Sequence, residues 1–330
     1  MGPSLSRVGE RGRAAPLISL SPRGRGRGPS RAGGRVRGKS ARYLVAQLLV
    51  NGLINGSHYA LLGLGFGLIF GPTRVTHFAF GPLYALSAYA CWAAAVPLRL
   101  PLPLAALVGV VVGALSGIAA YRLLYRPFER RGSSSLVILI ASLGLFIVLE
   151  NAIGIAFGSD TKVVPAFNAD VILLGDVVFT SVQAMQVMAL IVLGVALALF
   201  LKKSDYGKAV MAMTDNPEMA RIIGIDTVKV ATLAFALGSA LAAVPAVLLL
   251  LKEGATPYMG FAAVFMGFVA VVVGGIGSLR GAVIGGYALG LVENLGTWQI
   301  PTEWQSTIAF VVLFLVLLFR PRGFFGRGVG

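Results

Sequence analysis

Residues 230–251 read VATLAFALGSALAAVPAVLLLL, twenty-two positions without one charged side chain. The hydrocarbon layer of a bilayer is about 30 Å thick and needs about 20 apolar residues per helix, so this stretch is long enough to cross it. Lipid offers the backbone no hydrogen-bond partner, which requires the stretch to be helical. Runs of the same character fall on either side of it, at 43–72, 77–96, 99–120, 134–156, 184–201, 260–278, 281–297 and 304–320. The fold class this predicts is all-α, a polytopic transmembrane helical bundle of roughly eight to ten spans.

Composition agrees. Of 330 residues, 57% are hydrophobic and 12% charged, against about 25% charged in soluble domains, which excludes an ordinary soluble enzyme. The net charge is nevertheless +15, because charge is concentrated. Residues 1–42 hold eleven of the 28 basic residues and one of the 13 acidic ones, leaving seventeen against twelve for the rest. A basic arm (1–42) therefore precedes a transmembrane body (43–326). The arm has nine glycines and no aromatic residue, too little apolar surface to offset chain entropy, and is expected to be disordered. It reads as a cytosolic tail or as the product of a start codon placed too far upstream. Gly33–Ser40 matches G-x-x-x-x-G-K-S letter for letter, but that loop binds phosphate only between a strand and a helix N-terminus, and no strand pattern precedes it. An Arg/Gly tail without aromatic residues or a folded RNA module is a poor nucleic-acid binder, so no nucleic-acid partner is expected.

Loop charges orient the spans, since basic residues stay on the cytoplasmic side. The arm, Arg122/Arg126/Arg130/Arg131, Lys202/Lys203/Lys208/Arg221/Lys229, Arg280 and Arg320/Arg322/Arg327 are basic clusters, whereas 157–183 carries Asp160, Asp170 and Asp176 against Lys162. This predicts a multi-pass plasma-membrane protein with both termini cytoplasmic and 157–183 outside. Three apolar runs then lie between two cytoplasmic segments, and three crossings cannot return a chain to its starting side. The expected remedy is an early broken or re-entrant helix in 43–72, which is interrupted by Asn51, Asn55 and six glycines.

Chemistry-bearing groups are few. One cysteine (Cys91) and two histidines nineteen residues apart (His58, His77) give no disulfide framework and no metal-ligand spacing, and no cofactor is implied. With no H-E-x-x-H, no credible G-x-S-x-G and no Asp pair, no catalytic residue is expected and the chain is not read as an enzyme. Ionisable and polar groups inside apolar runs are functional candidates, which singles out Asn51, Asn55, His58, His77, Glu150 and Glu293 for a translocation pathway. No proton-relay series is visible, so energy for transport would come from another subunit. The cytoplasmic loop 202–229 is where it could enter. Asp215 or Asn216 suits an N-cap, Pro217 the first helical position, Glu218 the positive end of a helix, and Gly224 the C′ position of a helix over 217–223. Met219, Ile222 and Ile223 would give that helix an apolar face needing a partner.

At this loop the chain resembles a known family. Residues 207–226, with NGLINGSHYALLGLGFGLIFG (51–71), HFAFGPLYALSAY (77–89), YRPF (125–128), GGIGSLRGAVIGGYALGLVENL (274–295) and RPRGFFG (320–326), are similar to branched-chain amino-acid ABC transporter permeases of the LivH/LivM type, found in bacterial inner membranes. The resemblance implies that 43–326 is a transmembrane permease domain of an ATP-driven importer. It implies as partners a second permease subunit, two cytosolic ATP-binding subunits, an extracytoplasmic substrate-binding protein and membrane lipid. It also implies a coupling role toward the ATPase for Gly207, Asp215, Asn216, Pro217, Glu218, Ala220 and Gly224. The chain departs from the family pattern at 77–82 (HFAFGP), Met211 and Pro245, positions that bear on cargo. Relatives that move urea or short amides leave that cargo as an alternative, and a self-sufficient channel or secondary carrier is the alternative class.

Overall fold

The computed structural model describes residues 32–326 except 166, 168, 176, 302, 303, 321 and 322, with backbone alone for 32–42 and 174. Residues 1–31 of the arm, Asp176, Arg322 and Arg327 therefore lie outside the described residues. Each of the nine apolar runs is a helix. These are α1 (Ala32–Thr73), α2 (Phe80–Ala95), α3 (Leu102–Ala119), α5 (Ser135–Phe157), α6 (Ser181–Lys203), α9 (Thr227–Glu253), α10 (Met259–Gly274), α11 (Leu279–Gly296) and α12 (Gln305–Phe319). A π-helical turn at Ala120–Tyr125 and the short α4 (Arg126–Arg130) extend α3. The hydrophilic loop after α6 folds into α7 (Asp205–Asp215) and α8 (Pro217–Ile222), and the segment before α6 forms an antiparallel hairpin, β1 (Val171–Leu174) and β2 (Val177–Thr180). Among the described residues, five helices are long and apolar enough to cross a membrane singly, and α10 with α11 pass that test as a pair bent by 114°, so length and composition give five or six spans against the eight to ten expected. The architecture is a polytopic helical bundle, as the apolar runs predict.

Local signals set the helix ends. Thr180 and Gln183 form a reciprocal capping box at the start of α6, and Ser204, Asn216, Asp226 and Ser278 each accept backbone N–H groups at the start of α7, α8, α9 and α11, satisfying donors that have no partner within the helix. α1 and α9 are central: two-thirds of the most apolar window of each is buried, against 11% for α5. Since lipid supplies no hydrophobic drive between helices, small residues do the packing. In α3, Ala105, Gly109, Gly113 and Gly117 form the buried stripe, and a Cβ on Gly113 or Gly117 would strike Ser87 or Ser239.

Two corrections follow for the early chain. First, α1 is unbroken across 43–72. Its glycines serve close approach: a Cβ on Gly52 or Gly56 would press on Leu291, Tyr287 or the α11 backbone. The break lies instead between α10 and α11, where Gly275 and Gly277 adopt φ of 110° and 83°, values that favour glycine. Second, the start of the body is not on the side of the 202–229 loop. The Gln47 amide donates to the Val178 carbonyl (2.8 Å) and accepts the Val178 N–H (2.9 Å), tying the Tyr43 end of α1 to the hairpin. At the other end, the Arg74 guanidinium donates to the Thr214 carbonyl of α7 (3.0 Å). Because α6 leads from the hairpin to α7, the hairpin and α7 are at opposite ends and α1 runs parallel to α6. An odd number of helices then connects Tyr43 to the closing segment, where Phe324 and Phe325 donate to Val273 and Gly274 at the end of α10. The parity conflict disappears because the Tyr43 end of α1 lies at the end opposite the 202–229 loop.

Candidate functional site

At the hairpin end, α1, α2, α6, α9, α10, α11 and α12 line a cavity of about 420 Å³. It brings together three of the six pathway candidates: Asn55 and His58 from α1 and Glu293 from α11. The placement of Glu293 has a simple origin. α11 buries Gly281, Gly285, Gly286 and Gly290 on one side, and a Cβ on Gly286 would strike the Ala60 backbone, one on Gly290 the Gly52 and Gly56 backbone. Residues three and four apart share a helix face, so Glu293 and Asn294 follow one turn after Gly290 and are themselves buried, at 3% and 5% exposure. Asn294 is satisfied by the Gly290 carbonyl (2.8 Å). Glu293 has the Tyr59 hydroxyl beside it, but its Oε2 has no hydrogen-bond partner.

The rest of the lining was not expected from the sequence. Gln186, 5% exposed, hydrogen-bonds His58 through its side chain and has an amide nitrogen without a partner. Tyr84 places its hydroxyl 3.4 Å from His58 Nε2, and Lys252 pairs with Glu253 (2.7 Å) at the end of α9. Leu62, Leu248, Met259 and Met266 supply apolar wall. Gln186 was the legible one, a lone amide within an apolar run. Lys252 and Glu253 sit just past the end of theirs and read as interfacial charges.

The other three candidates lie elsewhere. Asn51 accepts from Gln47 (3.0 Å), part of the link to the hairpin. His77 is fully buried, with Nδ1 2.7 Å from the Tyr125 hydroxyl, which donates to Ser142 Oγ (2.9 Å). That oxygen also accepts the Phe78 N–H (2.7 Å). His77 thus joins the start of α2 to the π-helical turn and to α5, while its Nε2 is buried without a hydrogen-bond partner. Glu150 is half-buried on α5 and does not line the cavity.

The opposite end presents the 202–229 loop. Asn216 Oδ1 accepts the Glu218 and Met219 N–H groups (3.1 and 3.0 Å), Pro217 is at the first helical position, and Gly224 has φ of 89°, so the capping pattern read from the sequence is the one formed. The helix over 205–215 was not anticipated. Its position explains Gly207: Ser204 Oγ accepts the Gly207 N–H (2.9 Å), and a Cβ there would strike the Phe200 carbonyl and the Leu201 backbone. Ala220 is buried and anchors α8 against the body, accepting the Ile225 N–H at its carbonyl (3.0 Å). Glu218 is exposed and Asp215 closes α7. Met219, Ile222 and Ile223 are 52%, 72% and 65% exposed, an apolar face at the polar end of the bundle. Asp226, capping α9, has its carboxyl held below the usual carboxylate range by the Lys229 backbone N–H and the Lys229 side chain.

Comparison with known proteins bears on this arrangement. The family model described as branched-chain amino acid transport system / permease component matches residues 48–317. The chain is 35% identical over 301 residues to the high-affinity branched-chain amino acid transport system permease protein BraD of Pseudomonas aeruginosa, covering 86% of this chain and 97% of that relative. It is 35% identical over 295 residues to LivH of Escherichia coli K12, a permease protein of the same description, covering 85% and 95%. It is 29% identical over 294 residues to the probable branched-chain amino acid transport permease protein LivH of Methanocaldococcus jannaschii, covering 84% and 92%. Neither a urea cargo nor a stand-alone channel is favoured by these relatives.

Proposed function

Since the chain belongs to the family of branched-chain amino acid transport permease components, we propose that it works with a second permease subunit, two cytosolic ATP-binding subunits and an extracytoplasmic binding protein. It is the membrane-spanning subunit of an importer for branched-chain amino acids, in which the chemistry of ATP belongs to a partner.

The reading assigns the two ends of the bundle to two tasks. The end with α7 and α8 faces the cytoplasm, together with Lys202, Lys203, Lys208 and Arg280, as the distribution of basic residues requires. The hairpin end and the cavity face outward, where a binding protein releases cargo, and Tyr43 is on that outer side. Asn55, His58 and Glu293 belong to the pathway. The observation that carries the coupling role is the exposed face of α8. Its Met219, Ile222 and Ile223 side chains form an exposed apolar patch of the kind that marks an interaction surface. Asp215, Asn216, Pro217 and Glu218 set the start of α8 and Gly224 its end, while Gly207 and Ala220 hold α7 and α8 to the body, so a movement of an ATPase bound to α8 passes to α6 and α9.

The test is Ile222→Ser with Ile223→Ser in the importer reconstituted with all partners. Uptake and ATPase association fall together while membrane insertion is unchanged. Association and uptake at the level of the unaltered chain would refute the docking role.

A further inference from the structure

The cavity is lined by two buried polar side chains, each with one atom left without a hydrogen-bond partner. Glu293 and Gln186 are 3% and 5% exposed, and Glu293 Oε2 and Gln186 Nε2 have no hydrogen-bond partner. A buried carboxylate is expensive unless a cation or strong donor faces it. The cations available do not meet that need: Lys252, the basic residue lining the cavity, is paired with Glu253 at 2.7 Å. An ionised carboxylate only accepts, so what completes Glu293 must donate and is best positively charged. The Gln186 amide nitrogen only donates, so what completes it must accept. An aliphatic and thioether wall that includes Leu62, Ala263 and Met266 lines the same cavity. A volume of about 420 Å³ is of the size that takes one small molecule.

A cation, an anion and an aliphatic group in one small molecule describe an aliphatic amino-acid zwitterion. The geometry points to a cargo subsite within this subunit: Glu293 receives the ammonium group, Gln186 donates to the carboxylate, and the apolar wall takes the side chain. This goes beyond the assignment of the chain as an amino-acid permease and rests on it.

The experiment uses the complete importer in proteoliposomes, with radiolabelled leucine uptake and ATP hydrolysis measured together. Glu293→Gln keeps the shape and removes the charge. Uptake then falls by about tenfold or more, the contribution of one hydrogen bond to a charged group, while hydrolysis stimulated by the binding protein persists. Glu293→Asp restores part of the uptake. Unchanged uptake in Glu293→Gln overturns the subsite. Should that variant fail to assemble, the unaltered complex decides the matter without its binding protein, by competition for bound leucine. Leucinamide, which lacks the carboxylate, and isocaproate, which lacks the ammonium group, each compete about tenfold more weakly than leucine. Isocaproate competing as well as leucine, or no leucine binding at all, overturns the proposal. An unaltered importer that moves no aliphatic amino acid would instead refute the functional reading on which the subsite rests.

Discussion

Gly290→Ala is the most exacting perturbation of this bundle. A methyl group at Gly290 meets Gly56 N, Gly52 O and Gly56 Cα, all backbone atoms of α1. No rotamer change relieves such a contact, so α1 and α11 must separate by roughly 1 Å to restore van der Waals distance. Overpacking of a tight interface costs about 1–3 kcal/mol. Alanine is also the better helix former by about 1 kcal/mol, which recovers part of that cost and sets the net loss near the lower half of the range. The functional effect exceeds the loss of stability, because Glu293 is one turn away and depends on the same approach of α11 to Asn55 and His58. Thermal unfolding of the purified permease reads the first effect and leucine uptake the second. Gly144→Ala is the internal control, since a Cβ there has nothing within 4 Å and the propensity gain stands alone. A Gly290→Ala permease as stable and as active as the Gly144→Ala one would refute the claim that backbone contact between α1 and α11 positions the cavity.

Three further outcomes are expected. Asn216→Ala removes the acceptor for the Glu218 and Met219 N–H groups and destabilises α8 by about 1 kcal/mol, roughly fivefold in the docking-competent population. Uptake per ATP hydrolysed drops accordingly and Asn216→Ser recovers it; no drop would show that α8 forms without its cap. Asp226→Ala lowers the unfolding midpoint at neutral pH, and the gap to the unaltered chain closes only at acid pH. A depressed carboxyl contributes stability above its unfolded value, about 3.9, and loses it as pH falls through the lower folded one; a gap that persists under acid conditions would contradict this sign. Finally, in right-side-out vesicles a membrane-impermeant maleimide labels Tyr43→Cys and spares Tyr206→Cys. The reverse pattern would invert the topology.

What was legible in the sequence was what the bilayer dictates residue by residue. Nine apolar runs became nine helices because lipid leaves a backbone no other choice, and the Asn216-Pro217-Glu218 cap formed because its donors and acceptors are within three residues of each other. The cavity was half legible. Asn55, His58 and Glu293 stood out as polar groups in apolar runs, but Asn51, His77 and Glu150 stood out equally, and sequence position alone does not say which face of a helix meets which neighbour. His77 shows why: its partners, Tyr125 and Ser142, are brought in by a π-helical turn that no local pattern announces. The early glycines misled for the same reason. In a soluble helix they would weaken the run, whereas in α1 Gly52 and Gly56 are where α11 touches and Gly65 is where α9 does.

The direction of α1 carries a physical lesson about charge. Eleven basic residues in the arm outweighed every other cluster, and the expectation followed the largest number. Yet orientation is set by short loops that must remain on one side while both of their flanking helices insert, and the clusters at 122–131, 202–229 and 280 are of that kind. They agree with one another and with the capped loop that carries α8. The hydrogen bonds from Gln47 to Val178 and from Arg74 to Thr214 then leave the start of α1 at the far end whatever precedes it. Once α1 is fixed in that direction, the polar face it brings to the cavity and the Thr73 end it brings to α7 belong to a single rigid element. Under the proposed coupling, a displacement of α7 passes along α1 to Asn55 and His58.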